Sequence, residues 1–216
     1  MKKSAEVVIV GGGIVGLSIA YHLAQRGMKD IVVLEKENMC GTGSTGRCAG
    51  GFRHQFSTEV NIKLSLLSVK KLEEFAAEMD QPIDFHQDGY LFLLKDPADV
   101  EIFKKNAAIQ QKFNIPVEFI QPSDVARVLP NTEVKLDDVI AATYCGKDGV
   151  SDPAGVTEGY RKNAVRLGIP ICTEQEVVGI EVNNGVIESV RTKTDTIATH
   201  TVVNAAGPYA DRKSVV

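Results

Sequence analysis

Residues 7–16 read VVIVGGGIVG, and residues 31–35 read IVVLE. The glycines at positions 11, 13 and 16 fit the spacing G-x-G-x-x-G, in which a strand precedes the glycines and a helix follows them. Here an apolar run of strand length comes first, and a helical pattern of apolar residues continues to Gly27. The second apolar run ends in Glu35, near the ~20-residue separation expected for a ribose-binding acid. This βαβ unit predicts a dinucleotide-binding site.

The glycines and the acid of this unit each have a physical role. Gly11 lets the strand turn tightly, Gly13 lets the backbone approach a pyrophosphate, and Gly16 lets the helix pack on the sheet. The N–H groups and the positive dipole end of the helix favour the phosphates, and Glu35 accepts hydrogen bonds from ribose hydroxyls. The predicted site residues of this unit are Gly11, Gly13, Ile14, Val15, Gly16, Glu35 and Lys36.

The composition excludes several other classes of protein. With 44% hydrophobic residues, a chain of 216 residues can bury a core in one domain or two small ones. The net charge of −4 disfavours nucleic acid as a partner, and no apolar run approaches the ~20 residues of a membrane span. The first apolar run is read as a strand and not as a signal peptide. We predict reduced thiols, a cytoplasmic location and no metal site, because no C-x-x-C spacing relates Cys40, Cys48, Cys145 and Cys172.

A glycine-rich stretch follows the acid, from Lys36 to Phe56. It carries too many glycines for a strand or a helix interior, so we predict a long irregular loop. Such a loop in a compact domain is usually functional. Since it comes directly after the ribose-binding acid, we expect it to continue along the same ligand, with contacts from Ser44, Thr45, Arg47, Gly50 and Gly51.

The rest of the chain alternates helices and strands. Asp96-Pro97 and Asp152-Pro153 each predict a helix N-cap with proline at the first helical position, and Asn183-Asn184-Gly185 predicts a hairpin. Ser123 is expected to cap a short helix. In the amphipathic helix at 58–79, the predicted core stripe is Leu66, Val69, Leu72, Ala76 and Met79. Further helices are predicted at 97–113 and 153–167, and strands at 89–94, 116–120, 140–144, 169–173, 176–182, 186–193 and 200–205.

Five motifs occur in an order that resembles a known family. They are the opening unit, GSTGR at 43–47, Arg53-His54, DGVSDP at 148–153, and VVNAAG at 202–207. Together they resemble the FAD-dependent amino-acid oxidoreductases of the D-amino-acid oxidase type. Within these the chain is most similar to sarcosine oxidase β subunits, glycine oxidase and the β subunit of bacterial or archaeal proline dehydrogenase. Members of that family are nearly twice as long, and residues 212–216 do not resemble them, so we expect the N-terminal half of such an enzyme, from a truncated or frameshifted reading frame.

The resemblance implies an α/β fold with two interleaved domains. A Rossmann-like FAD-binding domain would comprise residues 1–56 and 146–216, and part of an α+β substrate domain would comprise residues 57–145. The family position that clasps adenine through its backbone matches Val178, and Ala206 and Gly207 would let the backbone approach the dinucleotide. Some relatives link flavin to a histidine in the glycine-rich loop. Because Arg47-Cys48 stands there instead, we predict non-covalent FAD.

The resemblance also implies a chemistry, the oxidation of the C–N bond of a small amino acid by hydride transfer to flavin. Arg53 is the candidate for binding the substrate carboxylate, since its guanidinium fork suits a carboxylate. A surface or interdomain salt bridge is the alternative. His54 is either a neighbour of the flavin ring or a polar residue bonded to backbone. The substrate would be sarcosine, glycine or proline, and a partner subunit or a second copy is left open.

Two other functions stay open at this point. One is a flavin-dependent dehydrogenase of a hydroxy acid or of glycerol phosphate, which shares the same N-terminal architecture. The other is a non-catalytic FAD-binding fragment or subunit. A plain NAD-dependent dehydrogenase is disfavoured, because the loop at 41–51 and the late Ala206-Gly207 motif would have no role in it.

Overall fold

The structure is a computed structural model that describes residues 2–130 and 133–213. The chain divides into two compact units. Of the described residues, the first unit holds those up to Ala49, then Phe75–Ile83, then those from Asp152 onward. The second unit holds Gly50–Glu74 and Asp84–Ser151. Residues 50–56 and 146–151 therefore lie in the second unit, whereas the sequence-based division placed them with the FAD-binding part. Residues 75–83 lie in the first unit, whereas that division placed them in the substrate domain. Residues 1 and 214–216 of that division lie outside the described residues.

Twelve strands are found among the described residues, and most fall where the alternation of apolar residues predicts them. The glycine-rich loop differs from its prediction because it contains a short strand and a single 3₁₀ turn at Thr45–Arg47. The strands are β1 (Val7–Val10), β2 (Ile31–Leu34), β3 (Gly51–Phe52), β4 (Tyr90–Leu94), β5 (Val117–Ile120), β6 (Ala141–Cys145), β7 (Gly149–Val150), β8 (Ile171–Cys172), β9 (Val177–Asn183), β10 (Val186–Thr192), β11 (Thr196–Ala198) and β12 (Thr201–Asn204).

The helices begin and end close to their predicted caps. Asp96 and Asp152 each accept a hydrogen bond from the backbone N–H two residues on, as N-cap residues do. The prediction for Ser123 was wrong, because Ser123 lies inside a 3₁₀ turn at Pro122–Asp124 and caps no helix. The helices are α1 (Ile14–Gln25), α2 (Glu59–Met79), α3 (Pro97–Gln111), α4 (Val125–Val128), α5 (Pro153–Arg166) and α6 (Ala210–Lys213).

A parallel sheet of order β12-β1-β2-β8 forms the centre of the first unit. Every residue of β1 and β2 is buried, as expected for the central strands of a parallel sheet. Val10 pairs with Leu34 on one side and with Asn204 on the other. The three strands thus end in register, and the segments that follow them meet at one edge of the sheet. This edge carries the glycine motif, Glu35 and Ala206.

The remaining strands of the first unit form an antiparallel sheet of order β11-β10-β9. Asn183 pairs with Val186, so a two-residue turn joins β9 and β10. Asn184 and Gly185 both have positive φ, 50° and 78°, which is the requirement of a type I′ turn. The predicted hairpin is therefore confirmed.

The second unit is built on an antiparallel sheet of order β4-β6-β5 and a separate β3–β7 pair. Ile62, Val117 and Cys145 are among the buried residues of one of its cores. The predicted core stripe of α2 was partly wrong, since Ala76 is exposed and Phe75 is buried instead. Phe75 packs in the first unit against Gly159, where a Cβ would come within 2.6 Å of the ring. None of the helices in the described ranges has the length and apolar character needed to cross a bilayer.

Candidate functional site

A cavity of about 680 Å³ opens at the carboxyl edge of the parallel sheet in the first unit. In such sheets, ligands bind outside the carboxyl ends of the strands. The structure brings together here most of the residues that the sequence predicts for cofactor binding. Those lining the cavity are Gly11, Gly13, Ile14, Val15, Glu35, Lys36, Ser44, Thr45, Arg47, Ala206 and Gly207.

The glycine motif has a steric basis at each of its three positions. Gly11 has φ +110°, and a Cβ there would overlap the carbonyl oxygen of Ala205. Gly16 lies under the turn, where a Cβ would overlap the carbonyl oxygen of Gly11. Gly13 differs from both, because a Cβ there would meet only the Thr45 hydroxyl, at 3.4 Å. Gly11 and Gly16 thus serve the packing of the turn, whereas Gly13 keeps backbone accessible at the cavity.

The N-terminus of α1 points its positive end at this cavity. Gly13 is the N-cap residue and offers no capping side chain, and the first turn carries no acidic residue. The Ile14 N–H donates to the Thr45 hydroxyl at 3.3 Å. A helix N-terminus without a negative side chain favours a bound anion such as a pyrophosphate.

Glu35 is 9% exposed, and both oxygens of its carboxylate are held by backbone. Oε2 accepts a hydrogen bond from the Gly12 N–H at 2.7 Å, and Oε1 accepts one from the Glu37 N–H at 2.9 Å. Each carboxylate oxygen has a further acceptor site. Glu35 therefore ties the glycine turn to the end of β2 and can still accept bonds from ribose hydroxyls at the cavity wall.

Other cavity residues were not identified from the sequence. Val177 lines the cavity, whereas Val178, for which the sequence predicts a backbone contact with adenine, is not among the lining residues and is 36% exposed. Successive strand residues face opposite sides, and a backbone contact at Val178 stays a prediction. Tyr209 lines it too, and the Lys36 ammonium lies 4.0 Å from the centre of its ring. A hydrogen bond to the Glu37 carboxylate raises the pKa of Lys36. Gln175 also lines the cavity, and its N–H donates to the Glu35 carbonyl at 2.8 Å.

Arg53, Gly50 and Gly51 lie in the second unit. The Arg53 guanidinium is surrounded by three aromatic rings, with ring centres 5.0 Å away for Phe56, 5.4 Å for Phe92 and 5.9 Å for Tyr90. These are cation–π distances. Among the described residues, none forms an ion pair with Arg53, so the predicted alternative of an ion-pair arginine finds no partner there. The guanidinium is positioned by rings and leaves its fork of N–H donors for an anion.

His54 is buried in the second unit, in contact with the buried carboxylate of Asp148. Its Nδ1 lies 2.7 Å from Oδ1 of Asp148, which is fully buried, and Cys145 is buried next to them. The three side chains are of types that can ligate a metal ion. The sequence predicts no such site, because Asp148 is 94 positions from His54. Burial, and secondly the Asp148 charge, raise the pKa of the Cys145 thiol to about 12. His54 thus contacts a buried carboxylate, a partner that sequence reasoning missed.

Comparison with known proteins agrees with this geometry. Residues 6–215 match the sequence profile of the DAO family of FAD-dependent oxidoreductases. Mitochondrial dimethylglycine dehydrogenase of Rattus norvegicus is 32% identical over 210 residues, and the mitochondrial pyruvate dehydrogenase phosphatase regulatory subunit of Mus musculus is 31% identical over 210 residues. The crystal structure of L-proline dehydrogenase from P. horikoshii superimposes with a TM-score of 0.89 at 36% identity. The chain belongs to the DAO family of FAD-dependent oxidoreductases.

The matched relatives are longer than this chain. The alignments cover 97% of this chain but only 24% of each of the two mitochondrial proteins. The superposition covers 99% of this chain and 55% of the proline dehydrogenase chain. The chain thus spans about a quarter of the curated relatives and about half of the solved structure.

FAD is the cofactor of this family, and the cavity of the first unit has the features that its dinucleotide part requires. Backbone is accessible at Gly13, the α1 N-terminus carries no compensating acid, and a buried carboxylate stands at the end of β2. Pyrophosphate would lie at the glycine turn, and ribose would bind to Glu35.

Proposed function

We propose that this chain forms the FAD-binding part of an oxidase or dehydrogenase that breaks the C–N bond of a small amino acid, of the sarcosine, glycine or proline type. The observation that supports the substrate class most strongly is the Arg53 guanidinium, which three aromatic rings hold without an ionic partner among the described residues. A guanidinium offers a carboxylate two parallel, charge-assisted hydrogen bonds. An amino acid supplies that carboxylate.

The residues of the first unit would bind and orient the cofactor. Backbone N–H groups at Gly13 and at the start of α1 would hold the pyrophosphate, Glu35 the ribose, and Thr45 and Arg47 the neighbouring part of the dinucleotide. When bound, FAD supplies the acceptor for the hydride that leaves the substrate carbon. We propose that FAD is held without a covalent bond, since Arg47-Cys48 stands where some relatives carry the linked histidine.

Arg53 would supply the binding energy that orients the amino acid. The rings of Phe56, Phe92 and Tyr90 limit its rotamers and exclude water from one side, which strengthens its interaction with a carboxylate. Gln110 is 4% exposed and donates to the Phe56 carbonyl at 2.8 Å, so the backbone that carries this ring is held in place. His54, which directly follows Arg53, would hold the backbone of this segment in place through its contacts with the buried Asp148.

A second candidate is a non-catalytic flavin-binding subunit. It is favoured by the 31% identity to a protein whose name describes a regulatory subunit. The two proposals share the FAD cavity and differ in whether a bound amino acid reduces the flavin. A partner subunit or a second copy of the chain belongs with either proposal, and a cytoplasmic location stays a prediction.

Anaerobic reduction distinguishes these proposals. Purified, FAD-loaded chain is titrated with sarcosine, glycine, L-proline, lactate and glycerol 3-phosphate while the oxidised flavin absorbance is recorded. Bleaching by one of the amino acids supports the first proposal. Bleaching by lactate or glycerol 3-phosphate alone contradicts it in favour of a hydroxy-acid or polyol substrate. Bound flavin that no compound bleaches supports the non-catalytic subunit.

A further inference from the structure

Asp148 is a fully buried carboxylate of the second unit, in the turn between β6 and β7. Its Oδ1 accepts hydrogen bonds from the backbone N–H and from Nδ1 of His54, both at 2.7 Å. Its Oδ2 accepts a bond from the Gln55 side-chain amide at 3.2 Å. Burial of a carboxylate is unfavourable unless such donors compensate its lost hydration. All three donors belong to the two residues that directly follow Arg53.

The residues on both sides of Arg53 are held by consecutive residues of one turn. Phe52 pairs with Gly149 in the β3–β7 ladder, and His54 is bonded to Asp148. Gly149 cannot carry a side chain, because a Cβ would overlap the carbonyl oxygen of His86. The backbone of Arg53 is therefore fixed from both ends by the turn at 148–149.

The network also reaches the rings that surround the guanidinium. The Gln55 amide nitrogen donates to the Tyr90 carbonyl at 3.0 Å, and its amide oxygen accepts from the Thr143 hydroxyl at 2.9 Å. The Thr143 bond orients the amide so that its nitrogen faces both Tyr90 and Asp148. Asp148 is thus linked, through Gln55, to the backbone of β4, the strand that carries Tyr90 and Phe92.

We propose that Asp148 is a positioning residue for Arg53, whose guanidinium it aims at the carboxylate of the substrate. This inference rests on the proposed function, in which Arg53 binds that carboxylate. Asp148 itself touches no substrate; it acts through His54 and Gln55. Its two carboxyl oxygens together provide the acceptor sites that all three of these donors use.

A metal ion is the competing explanation for the same side chains. His54, Cys145 and Asp148 place one ligand atom each within 4.8 Å of one another. However, the Nδ1 and Oδ1 atoms are in direct hydrogen-bond contact at 2.7 Å, and Asp148 is already engaged by three donors. The atoms point at each other and not around a common centre, which favours the network.

Substitution of Asp148 by Asn tests the proposal while preserving shape. An amide nitrogen in place of Oδ2 would face the donor of Gln55, so the Gln55 amide must turn over and its bond to the Tyr90 carbonyl is lost. We expect the FAD-loaded D148N chain to bind pyrrole-2-carboxylate about tenfold more weakly in calorimetric titration. Affinity for pyrrole-2-carboxamide, which lacks the charge, and affinity for FAD should not change. Gln55→Met provides a second variant, because it removes the same bond while leaving both His54 bonds to Asp148.

A direct readout of Arg53 completes the test. Its Nε–H proton resonance, assigned by its loss in Arg53→Lys, should be displaced by ring currents in the wild type and return toward the free-arginine position in D148N and Gln55→Met. Asp138→Asn is the matched control, since Asp138 is exposed and pairs with Lys95.

Wild-type affinity and an unmoved resonance in both test variants overturn the positioning role. Unchanged carboxylate affinity in Arg53→Lys, or no binding by the wild type, overturns the proposed function as well. Zinc retained in stoichiometric amount after purification supports the metal site instead.

Discussion

At the scale of single residues, we propose two roles for one acid of the cofactor cavity, Glu35. Sequence spacing assigns Glu35 to ribose, and the structure adds that its carboxylate receives the Gly12 and Glu37 N–H groups. The same side chain therefore holds the glycine turn in place and keeps acceptor sites for a ligand. Removing it should affect both folding and FAD affinity.

We expect Glu35→Ala to weaken FAD binding by roughly tenfold or more, because a charge-assisted hydrogen bond contributes roughly 1.5–3 kcal/mol. Titration of the apoprotein followed by quenching of flavin fluorescence measures this. Glu118→Ala is the control, since Glu118 is exposed and pairs with Arg127 in the second unit. Equal FAD affinity in Glu35→Ala and wild type would show that Glu35 serves the turn alone.

For Arg53 we expect Lys to be a poor replacement. Lysine keeps the charge but gives up the planar fork and much of the stacking on the rings. If the chain turns over an amino acid, Arg53→Lys should raise KM severalfold with a smaller change in kcat, and Arg53→Ala should raise it further. Steady-state kinetics with sarcosine, glycine and L-proline give these constants. The same KM in all three proteins would leave Arg53 a structural residue.

The thiols should differ in reactivity according to burial. Burial, and secondly the charge of Glu35, raise the pKa of Cys40 to about 11, whereas Cys48 is exposed. At pH 8 we expect iodoacetamide to modify Cys48 first and to leave Cys40 and Cys145 unmodified until the protein unfolds, as peptide mass mapping would reveal. Equal labelling of Cys40, Cys48 and Cys145 at pH 8 would contradict the predicted difference in thiol reactivity.

Since the folded pKa of Cys40 lies above its unfolded value near 9, its contribution to stability is complete below pH 9 and is lost as the pH rises toward 11.

At the scale of secondary-structure elements, the strand–turn–helix unit separates two uses of glycine. Gly13 has an ordinary extended backbone and free space around it, whereas Gly27, which follows α1, has φ +92° and no atom near its missing Cβ. A side chain at Gly13 thus obstructs only the ligand. A side chain at Gly27 strains only the backbone.

This contrast leads to a paired prediction. Gly13→Ala should leave the melting temperature close to that of wild type and reduce FAD affinity strongly, because the new methyl group lies where the pyrophosphate approaches. Gly27→Ala should keep FAD affinity and lower stability by about 1–2 kcal/mol, the cost of a left-handed backbone with a Cβ. Thermal melting and FAD titration of both variants check this. A loss of stability in Gly13→Ala with unchanged affinity would contradict our assignment of the turn.

The elements that were predicted correctly are those with local signals. A few neighbouring residues are enough to predict β1, β2, the two capped helices and the hairpin at Asn184-Gly185. The buried face of α2 could not be predicted, because the choice of Phe75 over Ala76 depends on space left by Gly159 far along the chain. The same holds for Asp148, whose partners lie 93 and 94 positions away, and for β3, which forms only by pairing with β7. Contacts of that range leave no periodic pattern in the sequence.

At the scale of the whole molecule, each unit has its own core and its own exposed surface. In the second unit, α2 exposes Val60, Leu64 and Leu67 by 56% or more of their surface. These residues share one helix face because they are spaced by four and three positions. β4 is also an edge strand of its sheet. An apolar stripe and an open edge in one unit favour association between copies.

We therefore expect the purified chain to self-associate at micromolar concentration. Light scattering after gel filtration measures this, and the double variant Leu64→Lys, Leu67→Lys should shift the population toward monomer, since two charges on the stripe oppose its burial. Glu73→Gln, which changes charge at an exposed α2 position on the other side of the helix, is the control. A wild-type chain that remains monomeric and melts cooperatively would show that the apolar stripe is stable when exposed to solvent.

We propose that the cavity at the carboxyl edge of the parallel sheet binds FAD without a covalent bond. The most direct measurement is to denature the purified, FAD-reconstituted protein with acid, pass it through a filter that retains the polypeptide, and record the flavin absorbance on both sides. We expect all the flavin in the filtrate, at up to one FAD per chain, and little flavin with the Gly13→Ala variant. Yellow colour retained on the polypeptide, or a chain that takes up no FAD at all, would contradict the claim.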